Sequence, residues 1–325
     1  MRRMNMRTTN KSTLTAGTPQ IPIRPQKTRF NLKRTWPIYM MILPGFLFFI
    51  IFKYIPMAGI VIAFQNYDPF LGFWGSNWVG FENFERLFTT RDFWPLMANT
   101  MILSALDIVF FFPMPIILAV LLNEVRIKWF KVMTQTIFYA PHFLSWVVIV
   151  AITVVLFATR DGGINILLRD LGFNTIEPLT TPGGFRITWI LHNIWQGAGW
   201  GAIIFLAAIA GVDPNLYEAA SIDGAGRLRQ IWHITLPAIR GVIIILFILR
   251  LGSFMDIGFE HVLLLQNPLN MQTSDIFDTF IYRTGVLMGN FSFTTAVGMF
   301  KGIIGLILVV GANKVVKKLG EEGIF

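Results

Sequence analysis

The chain has no cysteine and little charge: of 325 residues none is Cys, four are His, and 14% are Asp, Glu, Lys or Arg. Without cysteine there is no disulfide scaffold, no thiolate-ligated zinc and no thiol nucleophile. About a quarter of the residues of a soluble domain are charged, so the deficit excludes an ordinary soluble surface. Acid is missing altogether from residues 1–35, which hold nine of the 27 Lys and Arg and none of the 18 Asp and Glu. Bases and acids therefore balance in the rest of the chain, and the net +9 belongs to one terminal tail. A nucleic-acid binder spreads its bases over a folded face, so no nucleic-acid partner is expected. Also missing are a GxxxxGK[ST] phosphate loop, an HExxH zinc motif and a GxSxG elbow, so neither ATP hydrolysis nor metal- or serine-based hydrolysis is expected of this chain, and no catalytic or metal-ligating residue is assigned.

What is plentiful is apolar surface. Hydrophobic residues make up 54% of the chain, 31 residues are Phe and 10 are Trp, and mean hydropathy is +0.60. Crossing about 30 Å of hydrocarbon takes roughly 20 mostly apolar helical residues. Six stretches qualify: Ile38 to Phe64, Pro95 to Leu122, Thr136 to Ala158, Ile187 to Gly211, Gly241 to Leu265 and Phe293 to Asn313. They lack strand alternation, and only helices or closed barrels satisfy a backbone in lipid. The expected fold is an all-α membrane protein of six spans.

Lys and Arg accumulate in cytoplasmic connections. The tail and the alternate segments 123–135, 212–240 and 314–325 hold 18 of them, against six in 65–94, 159–186 and 266–292. Both termini are therefore expected in the cytoplasm, with residues 1–35 a partly disordered basic tail, residues 36–325 the membrane domain, and anionic lipid a partner of the tail.

The segment from Asp213 to Pro237 reads as a helix, a turn and a second helix. Asp213 can cap free N–H groups, Pro214 suits the first helical position, and Gly224 can take the left-handed conformation that ends the first helix. Leu228, Ile231, Trp232 and Thr235 then fall roughly on one side of the second helix, until Leu236 and Pro237 turn the chain back. Such a pair, with Ala219 and Ala220 allowing close approach, suits docking to another protein; packing on its own bundle is the plainer alternative.

The spacing Glu218-Ala219-Ala220, three residues, Gly224, nine residues, Ile234-x-Leu236-Pro237, with Asp223 before the glycine, resembles the EAA loop of permease subunits in binding-protein-dependent ABC importers. Trp78 to Phe88, Asn99-Thr100 and Gly163 to Gly172 are similar to segments of the carbohydrate branch. Pro44-Gly45, Lys53 to Met57 and Phe64 to Tyr67 resemble its polysaccharide or oligosaccharide subfamily. The resemblance implies a type I importer permease in a bacterial plasma membrane, moving oligo- or polysaccharide. Its implied partners are a second homologous permease, two cytoplasmic ATPase subunits that bind the ATP and Mg, and an extracytoplasmic solute-binding protein. It also implies that Glu218, Ala219, Ala220, Asp223, Gly224, Leu236 and Pro237 form the contact to the ATPase, within the loop 212–240. Two other readings stand beside it: a secondary transporter driven by an ion gradient, whose halves often show inverted repeats, and an ABC permease of the same fold for another solute.

Ionisable groups inside spans are costly and face a bundle interior or a wet cavity. Arg250 lies ~15 Å past the start of its span and Asp107 ~18 Å past the start of its own, both near mid-depth. They are candidates either for a buried pair that fixes helix packing, of Arg250 with Asp107 or with a carboxylate of a partner permease, or, for Arg250, for donation to sugar hydroxyls or an acidic sugar. Asp256 is expected near the outer boundary in a solvated position, and Lys301 to face a cavity or a partner. Trp195 and Gln196, with Tyr139, His142 and Trp146, are further pathway candidates, although aromatic belts and helix packing account for such residues as readily. Pro141 marks a kink, and residues 77–91 are expected to form a surface helix.

Overall fold

The structure, a computed structural model, describes residues 32–320 and Gly323, with side chains from Trp36 onward. The expected basic tail lies, as far as Asn31, outside the described residues. Helix dominates. Two short strands, Gln65–Asn66 and Asn77–Trp78, pair antiparallel with Gln65 opposite Trp78.

Contacts divide the chain into Met1–Met57 and Ala58–Phe325. In the first unit, Leu32–Phe49 is α-helical, Ile50–Tyr54 widens into a π turn, and Ile55–Met57 closes the segment. Its large apolar side chains, Met41, Phe52 and Ile55 among them, are exposed.

Across the described residues four helices are long and apolar enough to cross a membrane: Trp36–Phe64, Phe93–Glu124, Pro182–Ala210 and Phe291–Lys318. Two bent pairs raise the number to six if each pair is one span: Lys128–Phe143 with Trp146–Phe157, bent by 99°, and Arg227–Ala238 with Arg240–Gly252, bent by 61°. The first bend follows from Pro141, in a 3-10 turn at Ala140–Phe143, and from Ser145, whose hydroxyl accepts from the Val148 N–H and starts the next helix. The expected stretch Thr136 to Ala158 is thus two helices, the kink at Pro141 being a full break.

The stretch Gly241 to Leu265 also divides. Its helix ends at Gly252, residues 253–258 turn, and Phe259–Leu265 is a separate helix entered through Gly258 at φ +89°. The intervening Phe254, Met255 and Ile257 are apolar enough to hide the break in a hydropathy window. In the loop before it, the turn back comes at Ile239, not at Leu236-Pro237. Helix continues through Ala238 because a π turn at Ile231–Thr235 makes room for Pro237. Three π turns, Ile50–Tyr54, Asp107–Phe111 and Ile231–Thr235, each end two residues before a proline (Pro56, Pro113, Pro237). A proline ring crowds the carbonyl four residues back and offers no N–H, and a widened turn relieves both faults without ending the helix.

The second unit is held by three apolar clusters. One joins Leu103, Phe185, Trp189, Val262 and Ile276; another Leu87, Phe93, Leu96, Phe277 and Phe293; the third Ala119, Ala202, Phe205, Ile209 and Ile239. Helix Pro182–Ala210 is threaded close to its neighbours by small residues: a Cβ at Gly199 would lie 1.9 Å from the Phe138 carbonyl oxygen. Small residues at crossings are how helices approach in lipid, where hydrophobic burial gives little drive.

Candidate coupling loop and polar pathway

The loop opens as its sequence dictates. Asp213 accepts from the Asn215 N–H at 3.0 Å, Pro214 takes the first helical position, and Pro214–Ile222 is α-helix. Gly224 has φ +75°. The Ala225 N–H donates to the Ala220 carbonyl at 2.8 Å and the Gly224 N–H to the Ser221 carbonyl at 3.1 Å, the paired bonds of a Schellman cap. A Cβ at Gly224 would meet no atom. The glycine is thus required by its backbone angle alone.

The loop is a preorganised arm. The Tyr217 hydroxyl lies 3.0 Å from that of Thr235, and Gln230 donates to the Ser221 hydroxyl at 2.9 Å and to the Ala225 carbonyl at 3.1 Å. Arg227 reaches Glu124 at 3.7 Å. Leu236 packs on the cluster of Ile209 and Ile239. The outer face is bare: Glu218, Ala219, Asp223, Gly224 and Pro237 are exposed and Ala220 is half-buried. Ile222, Leu228 and Trp232 are also exposed. The loop thus packs on its own chain through Leu236 and Arg227 and leaves its other face exposed.

The ionisable residues of the spans are brought together in two groups. Arg250 meets Asp107 side-on: Nε donates to Oδ2 at 2.5 Å, and Nη2 donates to Oδ1. Asp107 is buried, whereas the Arg250 side chain stays 37% exposed. Phe111 lies beneath the guanidinium with its centroid 5.3 Å from Cζ. Lys301 is buried and donates to Asp256 at 2.8 Å and to Asp278. Asp256 is exposed as expected but is also tied, because the turn at 253–258 carries it to the helix Phe291–Lys318. Burial pushes the Asp278 carboxyl above the usual carboxylate range, and the Lys301 ammonium opposes that shift.

The aromatic candidates scatter. Trp195 is exposed and, with Phe138, Leu191 and Ile194, lines an apolar groove; Gln196 is half-buried beside it in sequence. His142 stacks on Trp200 with centroids 4.5 Å apart. Trp146 stacks on His261 at 3.8 Å, and His261 meets His192, which meets Thr153. Tyr139 ends the helix Lys128–Tyr139. The surface helix expected in 77–91 runs Glu82–Thr89 and seats Leu87 in the core. Asp278, Ser253, Phe111 and Phe112 escaped sequence reading: no motif marks them, and only the fold places them beside Lys301 or Arg250.

A cleft of about 310 Å³ between the helices Phe93–Glu124, Pro182–Ala210 and Arg240–Gly252 is walled by Phe111, Phe112, Pro115 and Phe205, with Arg250 and Ser253 as its polar lining. A second cavity of about 10 Å³, space for one water, is lined by Arg250 and Ser253 together with Ser104, Asp107, Asp256 and Ile257.

Four matches to known proteins bear on this arrangement. Over 288 residues the chain is 55% identical to the polygalacturonan/rhamnogalacturonan transport system permease protein YteP of Bacillus subtilis (strain 168), covering 89% of this chain and 90% of that one. A chain in the crystal structure of a bacterial alginate ABC transporter in complex with alginate pentasaccharide-bound periplasmic protein matches with a TM-score of 0.83 and 38% identity, covering 90% of this chain and 98% of that one. A chain in the crystal structure of a bacterial ABC transporter involved in the import of the acidic polysaccharide alginate matches with a TM-score of 0.82 and 39% identity, covering 89% and 98%. The model of the binding-protein-dependent transport system inner membrane component family matches residues 111–319, which include the whole loop, Arg250 and the group of Lys301, Asp256 and Asp278, and begin four residues after Asp107. The chain therefore belongs to the family of binding-protein-dependent transport system inner membrane components.

Proposed function

We propose that the chain is one of two membrane-spanning subunits of an ATP-driven importer of oligo- or polysaccharide, itself without catalytic activity. In this reading it crosses the bacterial plasma membrane six times with both termini in the cytoplasm, pairs with a second homologous permease, and receives solute from an extracytoplasmic binding protein. ATP and Mg bind to two separate cytoplasmic ATPase subunits. Helix Pro214–Ile222 docks on an ATPase through Glu218, Ala219 and Ala220, the cap at Asp223 and Gly224 holds its end, and Leu236 and Pro237 transmit its movement to the span that follows.

The observation that carries the reading is a rigid helix whose outer face is left bare, in a chain whose relative over nine-tenths of its length is named as a saccharide permease. A secondary transporter has no need of such an arm. The reading is tested by reconstituting the chain with its second permease, ATPase subunits and binding protein in liposomes and following labelled oligogalacturonate. ATP-dependent accumulation that stops without the ATPase subunits is expected; accumulation driven by an ion gradient without ATP would overturn the proposal.

A further inference from the structure

We propose that Arg250 is a specificity-determining residue that receives the carboxylate of an acidic saccharide as it passes; the inference deepens the saccharide-import reading and rests on it. A guanidinium has five N–H donors in a planar fork. Asp107 takes two of them, on Nε and Nη2, along one side. The two on Nη1 and the second on Nη2 have no partner among the described residues, and one from each nitrogen makes the end-on fork that matches a second carboxylate. The side chain is 37% exposed and lines the 310 Å³ cleft. Asp107 fixes the direction of the fork, and Phe111 supports its plane.

The surroundings suit a pyranose ring that carries an acid. Phe111 and Phe112 supply apolar lining beside Arg250 against which sugar C–H groups can pack, and Ser253 supplies a polar residue on the same lining. The charges facing Arg250 are Asp107, bound to it, and Asp256, across the small cavity and bound to Lys301. Arg250 is therefore already neutralised, so a uronate gains directed hydrogen bonds with little net Coulomb attraction. That is the balance a transport path needs, since binding there must favour entry and still permit exit.

The test uses the full complex with its binding protein in liposomes and compares uptake of trigalacturonate with uptake of its methyl ester. The binding protein is the same throughout, so its own preference cancels between variants. In Arg250→Gln, and in the double variant Asp107→Asn with Arg250→Gln, which leaves no carboxylate unpaired, the acid-to-ester ratio should fall about tenfold, the worth of one charge-assisted hydrogen bond at a partly wet site. Arg250→Lys, which keeps the charge and loses the fork, should fall between. An unchanged ratio in the assembled double variant overturns the inference, whatever happens to total uptake. Import of neither sugar by the parent complex would overturn the saccharide reading itself, and this inference with it.

Discussion

On the helix Pro214–Ile222, Glu218 stands exposed with no ion pair or side-chain hydrogen bond among the described residues, while between the long helices Asp107 and Lys301 are buried and tied to Arg250, Asp256 and Asp278. Water solvates the first group cheaply. Removing one partner from the second leaves a charge that its surroundings cannot solvate. A charge paired within its own chain belongs to the packing of that chain, whereas one left bare on a rigid arm is free for another protein. Arg250 is intermediate, with two donors engaged and three open.

The contrast can be broken by substitution, and the expected losses of stability fall in order. Lys301→Met strips the shared cation from Asp278 and Asp256 and should cost about 3 kcal/mol, read as a lower melting temperature of the purified complex. Adding Asp278→Leu should recover most of it, and a melt unchanged by Lys301→Met alone would remove the pairing from the packing account. Gly199→Ala places a methyl against the Phe138 carbonyl and should cost about 2 kcal/mol by forcing two helices apart; full stability would mean that the crossing is looser than described. Gly224→Ala puts a side chain at φ +75°, a local penalty of about 1 kcal/mol. Here the melt should barely move while ATP-dependent uptake falls, and loss of both together would make the cap part of the bundle. Glu218→Gln should change stability by less than about 0.5 kcal/mol yet reduce uptake severely; normal uptake would strip Glu218 of its docking role.

Much of the arm was legible before any coordinates. Asp213, Pro214 and Gly224 act within a few residues of themselves, and local chemistry of that kind is written in spacing. The breaks were harder. Phe254, Met255 and Ile257 kept the hydropathy of the fifth stretch high through a turn, and Pro141 signalled a kink without its 99° extent. Pro237 resembled a stop, but a π turn absorbed it. The pairing of Asp107 with Arg250 was one of three open alternatives, because depth along a helix is readable and facing is not. Asp278 and the stack of Trp146, His261 and His192 join elements far apart in sequence, and no pattern in one chain announces them.

The absence of cysteine supplies the most direct test of the central claim that the bare helix is a docking surface for an ATPase. Ala219→Cys places a single thiol on that helix, and its rate of labelling by a membrane-impermeant maleimide can be followed in inside-out vesicles with and without the ATPase subunits. Rapid labelling of the chain alone and strong protection when the ATPases are present is the result expected; equal labelling in both would contradict the account.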